Sequence, residues 1–368
     1  MEPIRVLHCG LTKNIGGIEN FAMNLYRNID REYFQFDFLL SCTGSIPFEE
    51  EIQEMGGKIY KRMRSKRDGL LKANRSIEDA LKEEKWRAFH MHTLFKNFSQ
   101  PVVAASKAKI PNVISHSHCA GDMHAFQESF YYRISSLVGE RLIVDKSTKL
   151  LACSDSAGKY MFGDSDFEII NNGIDTEKFK FSKDIRCDVR RSLNLGEKFV
   201  VGVVSHIGKI KNPEYVVEIF RSVFSRNSNS ILLWVGDGEL KPLVEKKVKE
   251  YNLEKSVMLL GLRTDVSELM QAMDCLILPS FSEGLPLVCV EAQAAGLPAF
   301  LSTGVPKTAQ IIDTVEFLSI EEQPDVWAEK ILKTVGKQRF DTTSEIIKAG
   351  FDIKQTARRM EEIYMENL

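Results

Sequence analysis

No Cys-x-x-Cys pair occurs in this sequence, and its seven cysteines are scattered and odd in number. That usage argues against a disulfide framework or a zinc site and for a reducing cytosol. No apolar stretch reaches the roughly twenty residues that a bilayer-spanning helix needs. Met1-Glu-Pro-Ile-Arg5 leads only into a short apolar run that stops at Gly10, too little for a secretory signal. Strong charge of either sign is missing too. The 49 Lys and Arg against 51 Asp and Glu leave a net −2, so the protein as a whole is not drawn to polyanions. No single-strand stacking platform or major-groove helix is apparent, which argues against a nucleic-acid partner. There is no short-period repeat and no low-complexity tract.

What remains is an ordinary globular composition, 43% hydrophobic and 27% charged, over 368 residues. That length suits two cores better than one. Ile4 to Gly10 reads as a first strand, and Gly16-Gly17 opens a helix running to about Asn28. Strand-like runs recur at Phe36–Leu40, Ala88–Met91, Val113–Ser117 and Leu150–Cys153, with helical patterns between them. The pattern restarts at Phe199–Val204, then Ile231–Val235, Val257–Leu260, Cys275–Leu278 and Ala299–Leu301. Such alternation predicts parallel sheets covered by helices. The expected division is 1–175 and 176–352, joined near Asn171–Phe179, followed by a last helix within 353–368.

The most informative stretch is Phe281-Ser-Glu-Gly-Leu-Pro-Leu-Val-Cys-Val-Glu291. It follows the strand-like Asp274-Cys-Leu-Ile-Leu-Pro-Ser280 and runs into a helix that Pro286 suits at its start and Gly296 at its stop. A strand, a tight turn and a helix start make an anion site, because the amides of Leu287 and Val288 and the helix dipole point outward. Glu291, one turn deeper on the Leu287 face, is placed to accept hydrogen bonds from a ribose. Glu283 sits further out, where a sugar would extend. The plain alternative is two solvated glutamates flanking a connection.

Other unusual residues also fall at strand ends, where open α/β sheets bind ligands. Gly16-Gly-Ile-Glu19 follows strand one and permits close backbone approach, although an ordinary helix-start turn explains two glycines equally well. In Ser115-His-Ser-His118, His116 and His118 share a strand face with Ile114. His92, in His90-Met-His-Thr93, is a weaker candidate of the same kind. Lys211, in Ser205-His-Ile-Gly-Lys-Ile-Lys-Asn-Pro213, precedes a helix and offers a point charge to a departing diphosphate. Gly236-Asp-Gly-Glu239 opens another helix after a strand. Residues 56–75 hold eight basic side chains (Lys58, Lys61, Arg62, Arg64, Lys66, Arg67, Lys72 and Arg75) against one acid, Asp68. That block attracts anionic lipid at roughly 1 kcal/mol per basic residue near a surface, or is simply a solvated face. Phe126, Phe130, Tyr131 and Tyr132 are aromatic surface suited to an interface, or core.

Pro279-Ser280, Glu283-Gly-Leu-Pro286 and Glu291-Ala-Gln-Ala-Ala-Gly-Leu-Pro298 together resemble the Glu-x7-Glu signature of retaining GT-B glycosyltransferases. More specifically, they resemble the group 1 nucleotide-sugar transferases that build bacterial surface polysaccharides. The resemblance covers nearly the full length. It implies two Rossmann-like domains facing a central cleft, with the last helix crossing back to the first. It also implies that Glu283 contacts donor sugar hydroxyls, Glu291 the ribose, and His118 the sugar. Gly17 would lie in the Gly-Gly-x-Glu loop near the acceptor and transferred group, and Arg263 of Gly261-Leu-Arg263 beside the base. Lys211 and the Leu287 and Val288 amides would clamp the diphosphate. The family usually carries Arg where His206 stands, which puts one clamp in doubt unless Lys209 replaces it.

The implied reaction moves a sugar from a UDP-sugar, or a GDP-sugar, to a hydroxyl of a glycan or lipid-linked acceptor with retention. A donor phosphate oxygen takes the acceptor proton, so no protein nucleophile is needed. No metal or cofactor is expected. The protein would be cytoplasmic, with peripheral attachment to the inner membrane face. Two rivals stand beside this: a sugar-nucleotide epimerase of similar architecture, which would turn over donor without acceptor, and a non-catalytic nucleotide-sugar binder, hinted at only by His206.

Overall fold

Short runs dense in Val, Ile, Leu and Phe form strands here because such side chains fill a pleated surface buried on both faces. The computed structural model describes residues 2–13, 16–40, 44–61, 70–119 and 130–367. It divides into two compact units, Met1–Gly173 together with Asp352–Leu368, and Ile174–Phe351.

The first unit holds β1 (Ile4–Cys9), β2 (Phe34–Leu40), β3 (Ile59–Lys61), β4 (Ala88–Thr93), β5 (Asn112–Ser117), β6 (Lys149–Ala152) and β7 (Glu168–Ile169). They pair in parallel in the order β3-β2-β1-β4-β5-β6-β7. The helix Gly17–Asn28 covers one face through Ile18, Phe21, Ala22 and Leu25, a 3.6-residue apolar stripe. The helix Ile353–Met365 packs beside it in the same core through Ala357, Met360, Ile363 and Tyr364. Arg359 fixes its outer side with a two-pronged pair to Glu168, at 2.5 and 2.9 Å.

The second unit holds β8 (Phe199–Val204), β9 (Ser230–Val235), β10 (Val257–Leu259), β11 (Cys275–Leu278), β12 (Ala299–Ser302) and β13 (Val315–Leu318). Their order is β10-β9-β8-β11-β12-β13, again parallel. Helices fill both faces, with Met270, Val290 and Ile346 on one side of the sheet and Phe220, Val223 and Trp327 on the other. Both sheets are doubly wound, with strand order reversing between β1 and β4 and between β8 and β11. Loops beyond the carboxyl ends of those four strands border the natural binding crevice of each unit. The short β3, β7 and β13 are not among the strand-like runs that periodicity picks out.

Candidate functional site

In the second unit, the loop after β8 carries His206, passes through a 3-10 turn at Lys209–Lys211, and enters the helix Pro213–Arg226. Asn212 makes that join in the left-handed conformation (φ 52°), which asparagine tolerates better than most residues. The loop after β11 leads into the helix Leu287–Ala294. Two contacts knit the loops together. The Phe281 N–H donates to the Ile210 carbonyl at 2.8 Å, and Lys211 Nζ lies 2.5 Å from Glu283 Oε1. Their side chains are only 24% and 11% exposed, so this ion pair is shielded from bulk water and stronger than a surface pair. Residues 72 positions apart are thereby brought to one point.

The helix that follows starts directly after Pro286, with no side chain capping it. Leu287 and Val288 therefore present their amides at the positive end of the helix dipole. Gly296 stops the helix in the left-handed region (φ 60°), with its N–H and that of Leu297 returning to Gln293 and Ala292. Glu291 lies near this helix start and is held in a poorly solvated setting. Burial raises its carboxyl to about 7, against a smaller opposing pull from the Lys178 charge. Although part of its surface remains accessible, no hydrogen-bond partner for this carboxyl is found among the described residues. A carboxylate short of both water and partners is ready to accept from a ligand hydroxyl.

Other sequence-predicted positions have local partners. His206 Nε2 lies 2.8 Å from Glu239 Oε2, with both side chains well exposed. Gly238 passes so close that a Cβ would stand 2.8 Å from the His206 ring, and one on Gly236 would stand 2.0 Å from the Ser205 carbonyl. The glycines of Gly236-Asp-Gly238 are thus explained by the packing of one loop on the other. Arg263 grips Asp265 with two bonds, at 2.8 and 2.5 Å. Lys209 lies beside Lys211 in the 3-10 turn.

In the first unit, Gly17 is exposed at the first helical position, where a Cβ would meet nothing within 4 Å. The loop before it is held by buried Glu19, whose carboxylate accepts from the Thr12 N–H, the Thr12 hydroxyl and the Gly16 N–H at 2.8–3.1 Å. Gly10 is the glycine that the backbone demands. Its φ is +125°, and a Cβ would stand 2.2 Å from the His92 carbonyl.

His118 follows β5, its backbone N–H bonded to the Thr93 carbonyl and its Nε2 3.0 Å from His92 Nδ1. Burial lowers it to about 3, so its ring is neutral at physiological pH. It belongs to a larger group. His8, His90, His92 and His116 are also buried, and all are held neutral chiefly by desolvation.

The nitrogens of His8, His90 and His92, and those of His92, His116 and His118, approach one another within 4.8 Å, close enough for a metal ligand set. The sequence shows no such cluster because it arises only when β1, β4 and β5 lie side by side. Reading the sequence also missed Tyr364, which touches this group, and Gln293, which ties its helix to the loop at Ala309–Ile312. For the histidine cluster the one available signal was the repeated histidine at alternate strand positions.

The basic block is only partly described. Lys58 pairs with Glu84 at 2.5 Å and Lys61 with Glu49 at 3.0 Å. Arg75 is exposed. Arg62, Arg64, Lys66, Arg67 and Phe126 lie outside the described residues, as do the side chains of Lys72, Phe130 and Tyr131. Tyr132 is partly buried. Among the described residues, no helix is long and apolar enough to cross a membrane.

Two parallel doubly wound sheets of this kind define the GT-B architecture. The crystal structure of Anabaena Alr3699/HepE in complex with UDP matches the chain with a TM-score of 0.76 at 17% identity, over 97% of this chain and 98% of that one. Residues 186–352 match the family model described as Glycosyl transferases group 1, and residues 15–178 match Glycosyltransferase Family 4. The putative glycosyltransferase EpsF of Bacillus subtilis strain 168 is 31% identical over 371 residues, covering 98% of this chain and 96% of the relative. The Escherichia coli UDP-Gal:alpha-D-GlcNAc-diphosphoundecaprenol alpha-1,3-galactosyltransferase is 29% identical over 82% of this chain and 80% of its own length. The chain belongs to the group 1 glycosyltransferases.

Proposed function

We propose that the protein transfers a hexosyl-type sugar from a UDP-sugar to a hydroxyl of a glycan or lipid-linked oligosaccharide, with retention, during assembly of a bacterial surface polysaccharide. The observation that carries this reading is the convergence of Lys211, Glu283, the uncapped amides of Leu287 and Val288, and desolvated Glu291 at the carboxyl ends of β8 and β11. Lys211 and the amides stabilise charge developing on the departing diphosphate, without a metal ion. Glu291 accepts from the ribose hydroxyls. Glu283, fixed by Lys211, orients the sugar, and His118 contributes a neutral ring to it.

A donor phosphate oxygen takes the acceptor proton as the sugar–phosphate bond breaks, so the protein positions and stabilises rather than attacks. Support for the donor comes from the UDP bound by Alr3699/HepE and the UDP-Gal named for the E. coli relative. Support for a lipid-linked acceptor comes from that relative's diphosphoundecaprenol substrate, and for a surface polysaccharide from the Staphylococcus aureus capsular relative. This reading puts the protein in the cytoplasm, attached peripherally through Lys58–Arg75.

The test is a panel of UDP- and GDP-sugars with polyprenyl-diphosphate-linked sugar acceptors. Nucleotide release would be followed together with the anomeric configuration of the product by NMR. Acceptor-dependent release of UDP and a retained anomer are expected. Donor turnover without acceptor, an inverted product, or no binding of any nucleotide sugar would overturn it.

A further inference from the structure

The buried His8, His90, His92 and His116, the partly buried His118, and Tyr364 are joined head to tail in a single file. His118 Nε2 meets His92 Nδ1 at 3.0 Å, and His92 Nε2 meets His8 Nδ1 at 3.0 Å. His8 Nε2 faces the Tyr364 hydroxyl at 3.5 Å, which faces His90 Nδ1 at 2.7 Å. His90 Nε2 then meets His116 Nδ1 at 3.3 Å. Every imidazole–imidazole link joins an Nε2 to an Nδ1. The two nitrogens at the ends, His118 Nδ1 and His116 Nε2, are buried and without a partner among the described residues. Phe21 packs its ring against those of His92, His116 and His118, and Phe36 against His8 and Tyr364, which keeps the file apolar around its polar atoms.

A neutral imidazole has one N–H and one lone pair, and a phenol can donate once while accepting. Each of the five links needs one proton and one lone pair. If His118 donates from Nε2, then His92 must accept at Nδ1 and donate from Nε2, and the same choice passes through His8, Tyr364 and His90 to His116. If His118 keeps its proton on Nδ1, every link reverses. Only two arrangements therefore satisfy all the links, with all five rings protonated on Nε2 or all five on Nδ1. Any mixture leaves a buried donor facing a donor, or a lone pair facing a lone pair, which a dry interior penalises.

We infer that the file acts as one all-or-none tautomer unit that sets whether His118 presents a donor or an acceptor at its free Nδ1. Tyr364, on the last helix, is then a positioning residue for the His118 ring three links away at one end of the file. The functional half of this inference rests on the proposed role of His118 toward the sugar, whereas the tautomer half does not.

The test uses the full chain labelled with 15N-histidine and read by long-range 1H–15N correlation, with His124→Gln and His206→Gln identifying the two rings outside the file. The wild type should show five neutral rings that share one tautomer. A mixture of Nδ1-H and Nε2-H forms among the five overturns the inference, whatever the enzymatic activity.

Tyr364→Phe removes only the hydroxyl and cuts the file into His118–His92–His8 and His90–His116. The two pieces should then take their tautomers independently. Turnover should fall about tenfold, the weight of one transition-state hydrogen bond, with nucleotide affinity unchanged. Phe36→Leu disturbs the same packing without a hydrogen bond and should leave the five tautomers uniform. Should Tyr364→Phe fail to fold, the wild-type spectrum decides by itself. Intense visible absorption on adding cobalt(II), lost in His92→Gln, would show the lone pairs serving a metal and would also overturn the inference. Uniform tautomers in a protein that transfers no sugar would sink the proposed function and leave the file standing.

Discussion

Replacing Glu291 by Gln should make the unliganded protein more stable above neutral pH while loosening its hold on the nucleotide. Burial raises this carboxyl to about 7 from an ordinary 4.5. A folded-state pKa above the unfolded one means that the folded protein holds more protons between about pH 4.5 and 7. Stability is therefore highest below that window and declines as pH rises through it. Above pH 7 the folded state carries the whole penalty of a charged, poorly solvated carboxylate. The difference between about 7 and 4.5, at about 1.36 kcal/mol per pH unit, sets an upper value of about 3 kcal/mol. Partial solvent access lowers this to roughly 1–3 kcal/mol.

Glutamine keeps the shape and removes the charge. Melting temperature should rise by roughly 2–12 °C at pH 8 and by little at pH 5, given the usual scaling for a unit of this size. Nucleotide affinity should fall about 10- to 100-fold, because a hydrogen bond to a charged group is worth roughly 1.5–3 kcal/mol. Scanning calorimetry of both proteins from pH 5 to 9, with UDP titrations by isothermal calorimetry, measures the two effects separately. Parallel melting profiles and equal UDP affinity would refute the assignment of Glu291 as a desolvated ribose acceptor.

Lys211→Ala should weaken UDP binding about 10- to 100-fold, whereas Glu283→Ala should mainly lower turnover; equal UDP affinity in wild type and Lys211→Ala would remove the lysine from the diphosphate site. On the proposed assignment, in which Lys211 and the helix-start amides neutralise the leaving group, transfer should survive EDTA, and complete loss restored by manganese or magnesium would show that charge assignment to be wrong. The protein should sediment with anionic but not neutral liposomes, less so as salt is added. Equal recovery on both kinds, or none on either, would make residues 58–75 a solvated surface only.

The strands of the second sheet were legible because Phe-Val-Val-Gly-Val-Val and Cys-Leu-Ile-Leu are continuous apolar runs that little else explains. Pro286 and Gly296 marked the ends of the helix that Glu291 occupies, to within a residue, because one removes an N–H and the other takes a left-handed backbone. Contacts between distant loops left no such trace. Nothing in the spacing of Lys211 and Glu283 announces an ion pair, which depends on β8 and β11 being neighbours. The pairing of His206 with Glu239 was equally hidden, so a position read only as a missing arginine proved to have an acidic partner of its own. The basic run looked unopposed because the acids meeting Lys58 and Lys61, Glu84 and Glu49, lie outside its window. His8 and His90 sat inside runs read as plain core strands, and only the register of β1 against β4 turns them into neighbours.

The helix Ile353–Met365 belongs to the unit that the chain began, not the one it has just completed. Its Ala357, Met360, Ile363 and Tyr364 therefore enter a core whose strands, between Ile4 and Ile169, left the ribosome well before residue 353. Until residues 353–365 are made, that core lacks one wall, and the apolar face of Gly17–Asn28 waits beside the gap. The second unit has no such debt, since all of its strands are contiguous in the chain. Domains generally fold as they emerge, yet here the earlier one closes last. A nascent or truncated chain ending before residue 352 would carry a finished second unit and an open first one, with His8 and His90 missing the phenol that bridges them.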